Sequence, residues 1–348
     1  MKNILVHSGA GIGDIILMTP VITALAKAGH TIDWLIDSDT SYDVASLYQS
    51  WPVIRRLYRH HAEVESGTYD CYFMAAGVIR PVKLQNRDQT TIIFAAYPEQ
   101  MRAWIPIVDT YFAYAKMIEP GLKAHHETYC GYSPRLFPEV TKKTVVLFPG
   151  CGKYYPMKRW DKFSELADRL SDVAVVGTEE DMDLSHSYFY PDWIRNFFSG
   201  FHYDGIVTKT ARFFGKRYNR PFKFGKHVKN YIGQLNLADT AALIKQAGLL
   251  IGNDGGITHM AAALDIPTVA IFGPTSPIGI RVHRKNILYI SKNLDCQPCL
   301  YGGKYPKAFQ YGYVGCPIGM KCLTGISVDD VYEQAMKFFY DNNRRGSQ

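Results

Sequence analysis

One local pattern recurs along this chain: a short apolar run of strand type, a glycine-rich loop, then a stretch of helix type. It appears at Ile4-Leu5-Val6 before Ser8-Gly9-Ala10-Gly11-Ile12-Gly13-Asp14, and at Thr144 to Phe148 before Pro149-Gly150-Cys151-Gly152-Lys153. It appears again at Leu249 to Gly252 before Asn253-Asp254-Gly255-Gly256. Thr31 to Ile36, Cys71 to Ala75, Val173 to Gly177 and Thr268 to Phe272 are further strand candidates. Strands alternating with helices call for parallel sheets with crossover helices. At 348 residues one hydrophobic core is usually too large to stay single. The expected architecture is therefore α/β, with two Rossmann-like domains facing across a cleft. Residues 1–135 form the first domain, 136–326 the second, and 327–348 a C-terminal helix and tail. In open parallel sheets, ligands gather at the carboxyl ends of the strands, where all these loops lie.

Each loop carries its own chemistry. In the first, Gly9 and Gly11 suit a dinucleotide fingerprint but Asp14 replaces the third glycine, and no Gly-Lys-Ser/Thr follows to make a phosphate loop. Asp14 reads either as a general base opening a helix or as that helix's cap. The second loop runs on to Met157-Lys158-Arg159-Trp160 and sets Lys153, Lys158 and Arg159 before a helix. Cations are disfavoured at a helix N-terminus unless an anion joins them, so Gly152 and these side chains read as an anion site. In the third loop, Gly255 and Gly256 at a helix start form a nest for a diphosphate, with Asp254 placed to accept hydroxyls and His259 one turn on. Glu179, just past the Val173 to Gly177 strand, is the candidate ribose contact.

These loops, in this order, resemble the ADP-heptose:lipopolysaccharide heptosyltransferases, which share the two-domain fold called GT-B. The likeness extends over Gly13-Asp14 with Thr19-Pro20, Lys158-Arg159-Trp160, Leu237 to Ala247, Asp254 to Thr275, and the late cysteines up to Val331. It implies an inverting glycosyltransferase using a nucleotide diphosphate donor, ADP-heptose or similar, on a lipopolysaccharide or related glycan acceptor. Asp14 would be the base and Lys158 would stabilise the departing diphosphate. Gly13, Gly152, Lys153, Arg159, Glu179, Asp254, Gly255, Gly256 and His259 are the donor-binding candidates. No cofactor is implied for the chemistry, since cations and helix dipoles take that part. The family usually has Thr or Ser where this chain has Gly255.

Four of the seven cysteines fall late, at Cys296, Cys299, Cys316 and Cys322, and the first pair has knuckle spacing. A structural zinc or iron and four reduced thiols are the two readings. The segment from Asp204 to Gly233 reads as a basic insertion with interleaved Tyr and Phe. It suits a solvated loop, a peripheral contact with anionic lipid at the inner membrane, or a nucleic-acid backbone. The alternatives to a glycan acceptor are the same transfer to modified DNA bases or to protein. A sugar-nucleotide epimerase and a non-catalytic nucleotide-sugar-binding protein complete the alternatives. Net charge is +7, which suits anionic ligands without selecting one. The start lacks a signal-peptide pattern and no run reaches the roughly 18 apolar residues of a spanning helix, so a cytoplasmic chain is expected.

Overall fold

The computed structural model describes residues 1–9, 11–37, 43–64, 67–76, 78, 80–96, 105–151, 156–182, 222–279, 285–299, 316 and 318–345. Two compact units divide the chain. The first comprises Met1–Leu136, Asn236–Lys245 and Ile278–Lys285; the second comprises Phe137–Leu235, Gln246–Pro277 and Asn286–Gln348.

The first unit is built on a parallel sheet of β1 (Asn3–Ser8), β2 (Thr31–Ile36), β3 (Arg56–Tyr58), β4 (Cys71–Met74) and β5 (Thr91–Phe94), in the order β3-β2-β1-β4-β5. β1 is apolar and buried because a central parallel strand is covered on both faces. Helix α1 (Ile12–Lys27) follows it and contains Pro20. Pro20 has no N–H to offer the Ile16 carbonyl one turn back. The Thr19 hydroxyl donates to that carbonyl instead, at 2.7 Å, and also accepts the Tyr129 N–H at 2.8 Å. The Thr-Pro pair is thus a proline made tolerable inside a buried helix. α2 (Ile107–Ala115) packs beside α1. Around β2, Trp34 and Tyr48 meet at 4.7 Å and Trp51 stacks on Tyr129 at 4.7 Å, while Trp34 Nε1 donates to Ser8 Oγ at the mouth of the first loop.

The second unit has β6 (Val145–Phe148), β7 (Val173–Val175), β8 (Lys229–Asn230), β9 (Leu249–Asn253), β10 (Thr268–Ile271) and β11 (Ile287–Ile290). Its sheet is again parallel, in the order β11-β10-β9-β6-β7-β8. This is the doubly wound order of a dinucleotide-binding fold, with its topological switch between β6 and β9. Helices α3 (Phe163–Asp168), α5 (Gly256–Ala263), α6 (Lys321–Thr324) and α7 (Val328–Arg345) belong to this unit, whereas α4 (Leu237–Gln246) belongs to the first unit up to Lys245. Trp160, Phe163, Leu166, Ala167 and Leu170 are buried together, with Val331, Ala335 and Phe339 of α7 in the same cluster. Trp160 lies before α3, and its indole N–H donates to the Ile326 carbonyl at 3.0 Å.

The part of the basic segment that can be described differs from a solvated insertion. Phe222 and Val228 belong to the core, β8 is an edge strand, and Lys229 donates to Asp172 Oδ1 at 2.5 Å. From 222 onward, its aromatic pattern is packing and Lys229 is a paired cation. Residues 204–221 lie outside the described residues. Among the described residues no helix is long and apolar enough to cross a membrane.

Candidate functional site

The register of the second sheet sets Phe148 opposite Gly252, so the loops after β6 and β9 leave the sheet side by side. Asn253, fully buried, ties them together. Its Nδ2 donates to the Pro149 carbonyl at 2.8 Å, and its Oδ1 accepts the Trp160 backbone N–H at 3.0 Å. One amide therefore holds both ends of the loop that carries Lys158. Within that loop, Lys158 Nζ reaches Asp254 Oδ2 at 2.7 Å. The Thr275 hydroxyl, beyond β10, donates to the same oxygen at 2.7 Å.

Burial by itself would raise the Asp254 carboxyl. Lys158, the Thr275 hydroxyl and the charge of His259 outweigh it and hold the group below the ordinary carboxylate range. A buried, ionised Asp254 and a buried ammonium thus face each other at the switch point. Helix α5 begins directly beside them with Gly255 as its N-cap, and among the described residues no side chain caps it. Backbone N–H groups at such an end, together with a cation, make an anion site.

Two glycines here are required by close approach. A Cβ at Gly150 would collide with the Asp181 carboxylate, which itself accepts the Thr178 N–H at 2.8 Å. A Cβ at Gly255 would lie 2.9 Å from Phe148 Cε1 and 3.4 Å from the Cys151 Cα. The Phe148 ring fills the space beside Gly255.

The other expected residues take different positions. Arg159 is buried and turns to the Glu180 carbonyl at 3.1 Å and to Asp181 Oδ1 at 3.6 Å, so it braces the turn after β7. Glu179 opens that turn and packs on Gly233. Gly256 is the first residue of α5 and His259 lies one turn into it, partly buried. Gly152 and Lys153 lie outside the described residues. In the first unit, Gly11 is the N-cap of α1 and Gly13 and Asp14 are in its first turn. Asp14 is thus not the cap, although its charge complements the helix dipole there. Asn253 opens the third glycine-rich loop and Thr275 closes the Asp254 to Thr275 stretch, but nothing in residue type or spacing marks the first as a staple or the second as a partner of Asp254.

Cys296, Cys299, Cys316 and Cys322 are buried in the second unit and form no disulfide. Cys322 is pushed up by burial first, then by Cys316, Cys299 and Cys296, which are therefore within electrostatic reach of it. The Met320 N–H donates to Cys316 Sγ at 3.2 Å. Four soft donors are the right chemistry for a thiophilic ion, but among the described residues no three of these sulfurs are gathered within 4.8 Å of one another as ligands would be.

Comparison with known proteins agrees with this geometry. Residues 220–308 match the model of glycosyltransferase family 9 (heptosyltransferase). Lipopolysaccharide heptosyltransferase 1 of Pseudomonas aeruginosa is 36% identical over 67 residues, which is 19% of each chain. The aligned segment thus spans about a fifth of that relative's length. In fold the likeness extends over nearly the whole chain. Escherichia coli ADP-heptose lps heptosyltransferase II superposes with a TM-score of 0.60 at 16% identity, over 99% of this chain and 100% of that one. The iron-containing dodecameric glycosyltransferase TibC of enterotoxigenic E. coli superposes with a TM-score of 0.56 at 13% identity, over 98% of this chain and 76% of that one. The fold is GT-B. The similarity to glycosyltransferase family 9 (heptosyltransferase) in sequence is confined to residues 220–308, while the likeness in fold extends along the whole chain.

Proposed function

We propose that this chain is an inverting glycosyltransferase that moves a heptose from ADP-heptose to a lipopolysaccharide acceptor. The observation that carries this reading is the Lys158–Asp254 pair at 2.7 Å, set beside the uncapped start of α5 at the sheet's switch point. A diphosphate arriving there meets a cation and open backbone donors, while Asp254 turns its carboxylate toward sugar hydroxyls. The family match over 220–308, which includes Asp254 to His259, supports the same assignment.

In the proposed step, an acceptor hydroxyl oxygen attacks the anomeric carbon as the bond from that carbon to the β-phosphate oxygen breaks. The hydroxyl proton passes to Asp14, and the bonding pair leaves with the diphosphate, whose charge Lys158 and the α5 amides stabilise. Single displacement inverts the anomeric centre. No metal is needed for this step. The buried cysteine set would hold a structural zinc or iron in the second unit only once its sulfurs were drawn together, away from any bond being made.

The test is steady-state transfer from ADP-heptose to a deep-truncated lipopolysaccharide acceptor. Asp14→Asn should lower kcat by about 10²–10⁴-fold, as loss of a general base does, while donor affinity stays within about threefold. Unchanged kcat in that variant would remove Asp14 from the mechanism. Sugar release without acceptor, at the full rate, would remove the transferase reading itself.

A further inference from the structure

In the first unit, polar groups converge at the carboxyl ends of β1 and β2. His7 is the penultimate residue of β1, Asp37 follows β2, and His61 opens the short 3-10 turn His61–Glu63. β1 and β2 run in parallel register with Ser8 opposite Ile36, so both carboxyl ends arrive together. His61 Nε2 lies 2.7 Å from Asp37 Oδ2, and His7 Nε2 lies 3.9 Å from the same oxygen. All three ligand atoms fall within 4.8 Å of one another.

His7 is the informative member. Its ring is fully buried, yet its Nε2 has no hydrogen-bond partner. A buried polar atom left so normally costs about 1–3 kcal/mol and calls for an explanation. Its other nitrogen, Nδ1, sits 2.7 Å from the Tyr72 hydroxyl, which in turn accepts the Val82 N–H at 2.9 Å. With Nδ1 donating to that oxygen, Nε2 presents its lone pair to the cluster. A ring nitrogen oriented by a hydrogen bond on the far side is how metal-bound imidazoles are held.

We propose that His7 Nε2, Asp37 Oδ2 and His61 Nε2 bind one divalent transition-metal cation of the zinc class. Ligands about 2.0–2.1 Å from a tetrahedral ion stand roughly 3.3 Å apart, so the 2.7 Å contact widens and the 3.9 Å contact closes by about half an ångström each. Two imidazoles favour zinc, cobalt or nickel over magnesium or calcium. His7 is sealed, whereas Asp37 and His61 are 38% and 27% exposed, so among the described residues the fourth position faces solvent. The ion would fasten the ends of β1 and β2 to the turn at His61 and leave one site open to water or an anionic oxygen.

The experiment uses the full chain and Co²⁺ and Zn²⁺ as probes, in a Cys296→Ser/Cys299→Ser background that disables the thiol cluster. That variant should bind one equivalent of cobalt, with visible d–d bands and no sulfur-to-cobalt absorption. His61→Ala and Asp37→Ala in the same background should each abolish binding. Tyr72→Phe, which keeps the ring and removes the orienting oxygen, should weaken it by about 10- to 100-fold. If the serine background does not fold, His61→Ala alone should lower total cobalt by one equivalent and leave any thiolate band unchanged. No cobalt bound in a folded serine background, or stoichiometry indifferent to His61→Ala, would overturn the site.

Discussion

Lys158 and Asp254 face each other with side chains only 16% and 5% exposed. Removing one partner of such a pair strands the other. Lys158→Ala should therefore destabilise the chain by about 3–5 kcal/mol in urea titrations, and Lys158→Met/Asp254→Asn should recover most of that loss. A double variant that costs as much as the two single variants added together would mean the two charges do not interact. The lowered Asp254 pKa fixes a sign as well: its contribution is complete above the unfolded carboxylate value and is lost as pH falls below it through the folded one. Asp161 behaves in the opposite way. Burial pushes its carboxyl up from 3.8 to about 6, and its Oδ1 is buried without a partner. The folded state thus holds this proton more tightly, so stability is lost as pH rises from about 4 to 6 and stays lost above. Asp161→Asn should stabilise the protein on the order of 1–3 kcal/mol at pH 7.5, with the advantage vanishing by pH 4. An advantage that is flat with pH would show that ionisation is not the cause.

At the scale of elements, the architecture turns on a few side chains that hold loops to strands. Trp160 is fully buried between α3 and the Ile326 carbonyl, and Trp160→Ala should cost about 3–5 kcal/mol. Thr19→Val should cost about 1–3 kcal/mol at nearly unchanged volume, because it leaves the Ile16 carbonyl and the Tyr129 N–H without the hydroxyl they share. Chemical denaturation with an unchanged m-value checks both, and a Thr19→Val variant as stable as the parent would dissolve the explanation of the Thr-Pro pair. The central strands and their loops were legible in the sequence because buried parallel strands are apolar runs and phosphate-type turns need glycine. β3, β5, β8 and β11 were not. β8 is two residues, Lys229 and Asn230, and its place in the sheet comes from pairing with β7 rather than from any pattern. Asn253 was equally silent, since its work is to bridge two backbones that only the sheet register brings together. His7, Asp37 and His61 lie tens of residues apart, and the one trace of them in the sequence is a histidine near the end of an apolar strand.

For the whole molecule, the second unit is the better-defined half of the proposed reaction. On that proposal, the sheet order, the loops that leave at the switch point and the ion pair between them would serve nucleotide recognition, and the first unit would supply Asp14. The Phe148 ring occupies the space beside Gly255. Gly255→Ser must displace that ring, and it should lower stability without tightening donor binding. Tighter binding would show that the missing hydroxyl, rather than the ring, sets donor affinity. The most direct measurement is the thermal stability of the intact chain against ADP, ADP-heptose, UDP and UDP-glucose. At a hundred times its dissociation constant a ligand of the folded state adds about 2.7 kcal/mol, which is readily seen as a rise in Tm. The proposal predicts a rise with ADP and ADP-heptose that Lys158→Met/Asp254→Asn abolishes. A rise with the uridine nucleotides alone would contradict the donor, and no rise with any of them would contradict the site.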